Sequence, residues 1–340
     1  MEKCGICGRD ACRKFVQASV RGDVFEIPVC SDCYQRYEPR PSRRGVEFKE
    51  ARRVSHIGYI LWFIESSTVA RIIERLGRTY IGRVVAPLSI VSIPLVFLSI
   101  ALIIVGWIDR ILRPGFYLHY AESMPRGFMT TGIPGLDPAI PFIYGWIAIS
   151  ILVTIHEFAH GIASTHLGTP PRRAGVVLLL GMPVAGYVKI DMSPFGRGAW
   201  RFVGAGNAVN FLTAVLSLML FILQGAPEPY IKHPILLLMP PEYVRHVLGM
   251  DVSMGFVQSL LAYIWLISLW GAVFNSLPIP GVDGYWIYAS MLSRATSRLI
   301  GDGLGWRLGV KMSLASGFTI LMTIAVTLLI ERVLIPYNLI

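Results

Sequence analysis

The chain has 340 residues, of which 54% are hydrophobic and only 15% charged, with a mean hydropathy of +0.58. Soluble domains carry about 25% charged residues, so this composition excludes a soluble enzyme and indicates a polytopic membrane protein. The net charge of +10 is concentrated before Val84. There it reads as a signal that keeps the N-terminus in the cytoplasm, with anionic lipid a secondary partner and nucleic acid disfavoured.

Residues 1–37 form a polar module that holds all five cysteines. The N-terminus lacks the basic stub and apolar run of a cleavable signal peptide. Cys4-x2-Cys7 and Cys30-x2-Cys33 have the spacing of a zinc-ribbon-like module, and a cytoplasmic setting favours thiolates on a structural zinc over disulfides. Cys12 is a spare thiol. The aromatics Phe15, Phe25, Tyr34 and Tyr37 read as the mini-core of a domain too small to fold without metal.

Residues 38–83 read as a linker, rich in Arg, Glu, Pro and Ser over 38–56, followed by an interfacial amphipathic segment with a helix expected over 57–80. The apolar run 57–64 is too short to span a bilayer. The predicted spans are 84–108, 139–167, 202–223, 254–275 and 314–330, each near the length a crossing requires. Between the second and third, residues 175–190 are apolar, β-branched and broken at Gly181-Met182-Pro183, which predicts a strand pair. Non-helical backbone at membrane depth needs cover from protein or a water-filled cavity, so this hairpin is expected to line a site. Residues 227–248, with five prolines, predict an outer loop with re-entrant or interfacial pieces. The expected fold class is therefore an α-helical polytopic membrane protein of five or six spans, with a small membrane-associated β-hairpin and an N-terminal cytoplasmic module.

Loop charge sets the orientation. The 168–201 loop carries Arg172, Arg173, Lys189, Arg197 and Arg201 against Asp191, and the 285–313 loop carries Arg294, Arg298, Arg307 and Lys311 against Asp302. Both are expected to be cytoplasmic, which puts the C-terminal end of the second span on that side.

That span contains His156-Glu157-Phe158-Ala159-His160. Two histidines four apart share one helix face and can hold a single zinc ion, with Glu157 placed to activate water. An ionisable cluster in hydrocarbon marks a pathway or a site. A catalytic zinc takes three protein ligands, and acids are scarce after Glu157. Glu228, Glu242 and Asp251 fall in the outer loop, and Glu331 at the outer end of the last span. Asp302 lies in a glycine-rich polar loop. Asp283, in Asn275-Ser-Leu-Pro-Ile-Pro-Gly-Val-Asp-Gly284, can be turned back toward the histidines by Pro278 and Pro280. Asp191 stays open as a rival. Asn210 and Asn275 are candidates for hydrogen bonding to substrate backbone or to an oxyanion, or for interhelical contacts.

HEFAH within a span together with NSLPIPGVDG resembles the site-2 protease family of intramembrane zinc metalloproteases. Gly186-Tyr187-Val188-Lys189 and Gly206-Asn207-Ala208-Val209-Asn210 are similar to further family elements, in the same order. Val282 and Tyr285 depart from the usual residues and Asn207 replaces a proline, without removing a ligand. The resemblance covers roughly residues 140–288. It implies a catalytic zinc on His156, His160 and Asp283 with Glu157 as general base. It also implies a transmembrane metalloprotease domain over 84–340 with its core at 139–290, and action on transmembrane protein substrates in the bilayer by regulated intramembrane proteolysis. The cysteine module is then a docking element for a cytoplasmic regulator. Two rival readings are a prenyl-protein-type membrane metalloprotease, which uses a downstream Glu or His on a helix, and a catalytically silent membrane scaffold that senses through its zinc ribbon.

Overall fold

The computed structural model describes residues 14–20, 23–29, 53–57, 61–115, 134–179, 182–190 and 199–331. The chain divides into two compact units, residues 1–49 and 50–340. In the first, β1 (Lys14–Val20) and β2 (Asp23–Val29) form an antiparallel hairpin in which Lys14 pairs with Val29 and Val20 with Asp23. Cys4, Cys7, Cys12, Cys30 and Cys33 lie outside the described residues, as does Asp191.

The second unit opens with β3 (Arg53–Ile57) and β4 (Leu61–Ser66). They join β5 (Arg173–Leu179) and β6 (Met182–Lys189) in one antiparallel sheet of order β3-β4-β5-β6. The expected hairpin is thus present but is half of a larger sheet. The amphipathic helix expected over 57–80 is corrected: 61–66 is a strand, and the helix α1 begins only at Ser67 and ends at Gly77, with the Ser66 hydroxyl accepting from the Val69 amide. The cause lies in Leu-Trp-Phe-Ile-Glu-Ser, whose aromatic and β-branched residues suit a pleated surface and whose alternation serves two different faces. Registers Ile64↔Val176↔Gly186 and Ser66↔Ala174↔Val188 build an apolar face. Glu65↔Gly175↔Tyr187 and the flanking Arg173↔Lys189 pair build a polar one.

Among the described residues, five helical segments are long and apolar enough to cross a membrane: Tyr80–Leu112, Phe142–His166, Trp200–Leu223, Phe256–Asn275 and Gly303–Leu329. The first comprises α2 (Tyr80–Leu88), a 3-10 turn and α3 (Ser92–Leu112). α4 (Phe142–His166), α5 (Ala199–Leu223) and α8 (Phe256–Asn275) pack on one another pairwise and form the central bundle. At 25 residues, α4 is roughly 37 Å long and exceeds a hydrocarbon core of about 30 Å. Between α5 and α8, the expected outer loop holds α6 (Glu228–Lys232), a 3-10 turn and α7 (Pro241–His246). These pieces pack through Tyr230, Leu236 and Val244 onto Phe221 and Ala262.

α9 (Asp283–Ile300) and α10 (Asp302–Leu329) form a helical hairpin. The last span therefore starts at Gly303, earlier than residue 314, and the expected 285–313 loop is mostly helix. Gly301, at φ 93°, ends one helix and begins the next. Hydropathy misses α9 because Arg294 and Arg298 interrupt its apolar residues. The composite is a predominantly helical multi-pass membrane protein with one small sheet beside α4.

Candidate metal centre

α4 carries His156 and His160 one turn apart on the side that faces α5 and the start of α9. Both side chains are buried. Their rings are perpendicular with centroids 4.5 Å apart, so the two Nε2 atoms approach to 3.0 Å. The chain leaves α8 at Asn275, passes through the Pro278-Ile279-Pro280 stretch and re-enters a helix at Asp283. This return brings Asp283 Oδ2 to 3.0 Å from His156 Nε2 and 3.2 Å from His160 Nε2. Among the described residues these three side chains form the metal-ligand cluster.

Whether the donors fit a cation turns on the protons. His160 Nδ1 lies 2.8 Å from the Phe202 carbonyl oxygen, which only accepts, so Nδ1 carries the hydrogen and Nε2 a lone pair. His156 Nδ1 is 2.8 Å from the Asn210 side-chain amide, drawn with its nitrogen toward the ring. In that orientation the buried Asn210 Oδ1 has no partner. Rotating the amide by 180° preserves its shape, puts Oδ1 on His156 Nδ1–H and frees the second Nε2 lone pair. The buried Asp283 Oδ2, which has no hydrogen-bond partner, then faces two further acceptors. Three acceptors at 3.0–3.2 Å repel one another unless a cation lies among them. Tetrahedral zinc with ligands at about 2.0–2.1 Å sets donor separations near 3.3 Å. The donor set and its spacing fit that ion.

Close packing makes the convergence possible. A Cβ on Gly206 of α5 would lie 2.6 Å from His156 Cε1 and 2.7 Å from His160 Nε2. Small residues at helix contacts permit such approach, and here the approach is onto the ligands themselves. Sequence reading placed Gly206 in a motif but gave it no task. It also missed the Phe202 carbonyl, which no residue-type pattern reveals.

Glu157 lies between two cavities. With His160, Asp283, Phe202 and Trp286 it lines one of about 250 Å³. With residues of α1 and the apolar sheet face it lines another of about 190 Å³. The first gives Glu157 and the ligand cluster a common space for water and a reacting group. Asn210 is fully buried against His156, while Asn275 offers its backbone carbonyl to the Asn207 side-chain amide at 3.2 Å. On the far face of the sheet Glu65 accepts from Arg173 at 2.9 Å, from the Tyr187 hydroxyl at 3.0 Å and from Lys189. The Lys189 ammonium foremost, together with Arg173 and Tyr187, outweighs burial and lowers the Glu65 carboxyl to about 2.

Comparison with known proteins matches residues 144–316, just over half of the chain, to a family model described as Peptidase family M50. An uncharacterized protein of Methanocaldococcus jannaschii is 27% identical over 164 residues, or 46% of this chain and 43% of that protein. The chain thus spans under half the length of the curated relative it matches. No solved structure matches. The matched range begins within α4 ahead of the histidines and runs through Asp283 into α10.

Proposed function

From the premise that this chain belongs to peptidase family M50, and is therefore a multi-pass membrane metalloprotease, we propose that it is an intramembrane zinc endopeptidase that cuts transmembrane segments of other proteins. The observation that carries this reading is the set of three convergent acceptors, His156 Nε2, His160 Nε2 and Asp283 Oδ2, beside Glu157 on a helix long enough to span. His156, His160 and Asp283 would hold the zinc, which when bound supplies Lewis acidity to polarise a carbonyl and acidify water. Glu157 takes the proton from the attacking water and later delivers it to the leaving amine nitrogen. The Phe202 carbonyl and Asn210 fix the two imidazoles in the tautomer that ligation requires, so Asn210 acts as a positioning residue in this reading.

A helical substrate hides its amides in internal hydrogen bonds and must unwind before it is cut. Among the described residues β6 ends the strand order of the sheet, and in this reading its outer edge receives an extended chain. Proline at Val188 would then slow cleavage while the metal stays bound. This reading puts the N-terminus and the site on the cytoplasmic side. Support comes from the site's position about 10 residues, or ~15 Å, before the end of α4 and from the basic segments that follow.

Cys4, Cys7, Cys30 and Cys33 are proposed to hold a second, structural zinc, and the module to dock a cytoplasmic regulator. The β1–β2 pairing supports this, because it brings Lys14 beside Val29, directly before Cys30. The decisive experiment is cleavage of a single-span reporter by purified protein. Glu157→Gln is expected to retain zinc and lose turnover by about 10²–10⁴-fold. Wild type and variant behaving alike on several reporters would favour a silent scaffold.

A further inference from the structure

The second cavity beside Glu157 takes no part in the chemistry described so far, and its walls have one character. The sheet supplies the floor through Ile64 and Val176, α1 contributes Val69 and Ile73, and α4 contributes Val153 and Phe158. Glu157 stands at its edge. On a helix that turns about 100° per residue, Val153 and Glu157 project between the histidine face and the Thr154–Phe158 side. One carboxylate therefore borders both the ligand cluster and the apolar hollow.

Sheet register accounts for the hollow. The rung Ile64↔Val176↔Gly186 belongs to the apolar face, and its last member has no side chain. A Cβ at Gly186 would lie 2.5 Å from Glu157 Cγ and 3.1 Å from Val153 Cγ1. The missing side chain lets Glu157 and Val153 approach β6, so the Glu157 side chain fills that end of the rung and forms the border of the hollow. The polar residues of the same strands, Arg173, Tyr187 and Lys189, are turned to the other face and held there by Glu65.

We propose that this cavity is a specificity subsite for one side chain of the substrate, adjacent to the scissile bond, and that it takes a branched aliphatic or aromatic residue. The assignment rests on the protease reading above. A chain added along β6 points alternate side chains to opposite faces, so one residue enters the hollow and its two neighbours do not. Size agrees: an apolar cavity of about 150 Å³ admits benzene, and this one measures about 190 Å³. Acidic side chains find no counter-charge there, because Arg173 and Lys189 are turned away to Glu65 and the Glu157 carboxylate at the edge would repel them.

The test uses the full-length protein in detergent with zinc. A single-span reporter is changed one residue at a time to Gly, Ala, Leu or Phe, and the cut site is mapped by mass spectrometry. At one position Leu or Phe is expected to exceed Gly by about tenfold, the smaller end of what an apolar pocket discriminates, with the positions on either side indifferent. Val176→Phe should shift the preference toward Ala and Gly, and Val176→Ala toward Phe. An unchanged ranking across wild type and both variants overturns the subsite. A second arm needs no turnover: a reporter carrying photo-reactive leucine at that position is cross-linked to Glu157→Gln. Adducts on α1, β4 or β5 support the subsite, and adducts confined to other elements overturn it. Adducts at the cavity without cleavage by wild type would overturn the protease reading alone.

Discussion

Two carboxylates in this molecule meet opposite surroundings. Glu65 is held by three donors, Arg173, Tyr187 and Lys189, and its charge is satisfied within the sheet. Asp283 places a buried oxygen with no donor against two imidazole nitrogens that themselves carry lone pairs. Burial of a charge is costly unless it is paired. The first cluster meets that cost with its own cations and staples three strands together. The second has no donor of its own for that oxygen, and in the proposed reading a cation from outside meets the cost. Saturation of the carboxylate, more than its burial, separates a structural cluster from a site.

The contrast is broken most directly at Asp283. Asp283→Ala is expected to remove one metal ion per chain and reduce reporter cleavage to background, as measured by metal analysis on the purified protein. A Cys4/Cys7/Cys30/Cys33→Ser variant is expected to remove a different one, so that wild type holds two and either variant one. Full retention of metal by Asp283→Ala would mean that another group completes the site.

Asn210 sharpens the contrast at intermediate scale. Its role is to orient His156, and loss of a group that orients a ligand typically costs 10–100-fold in metal affinity. Asn210→Ala should weaken zinc binding by about that factor in a competitive chelator titration, and turnover should recover at raised zinc. A variant with unaltered affinity but lowered turnover would return Asn210 to the oxyanion role.

Legibility in the sequence follows the range of each interaction. His156 and His160 are paired by helical periodicity alone, a local property, and their pattern could be read at once. Asp283 is 123 positions beyond His160 in the chain; only the return of the chain after Pro278 and Pro280 brings it to the histidines, while its rival Asp191 lies outside the described residues. The β5–β6 hairpin was legible because its turn residues sit between two β-branched runs. Its partner β4 was not, since an apolar run interrupted by Glu65 reads equally as the face of an amphipathic helix. The partners that make Glu65 a strand residue, Arg173 and Lys189, lie more than a hundred positions away. Gly206 was visible as a letter in a motif, but the close approach of two imidazoles that requires it appears only when α4 and α5 are packed.

The smallest effect concerns Glu65, and its sign is fixed by the direction of its shift. The carboxyl is lowered from 4.5 to about 2 in the folded protein. Its contribution is therefore fully present above about pH 4.5 and is lost as pH falls toward 2. The shift alone would correspond to about 3 kcal/mol, but Arg173 and Lys189 are partly exposed, with side chains 32% and 57% accessible. Solvent screening of such partners trims the contribution to roughly 1–2 kcal/mol. Glu65→Gln should accordingly lower the thermal midpoint at pH 7 with metal content intact, because the sheet staple and the ligand cluster share no residue. The gap between wild type and variant should narrow steadily below pH 4.5. A gap that stays constant down to pH 3 would show that the carboxylate charge contributes nothing to the sheet. Loss of metal in Glu65→Gln would break the comparison in the other direction, by showing that the staple also holds β6 and Glu157 against the ligand cluster.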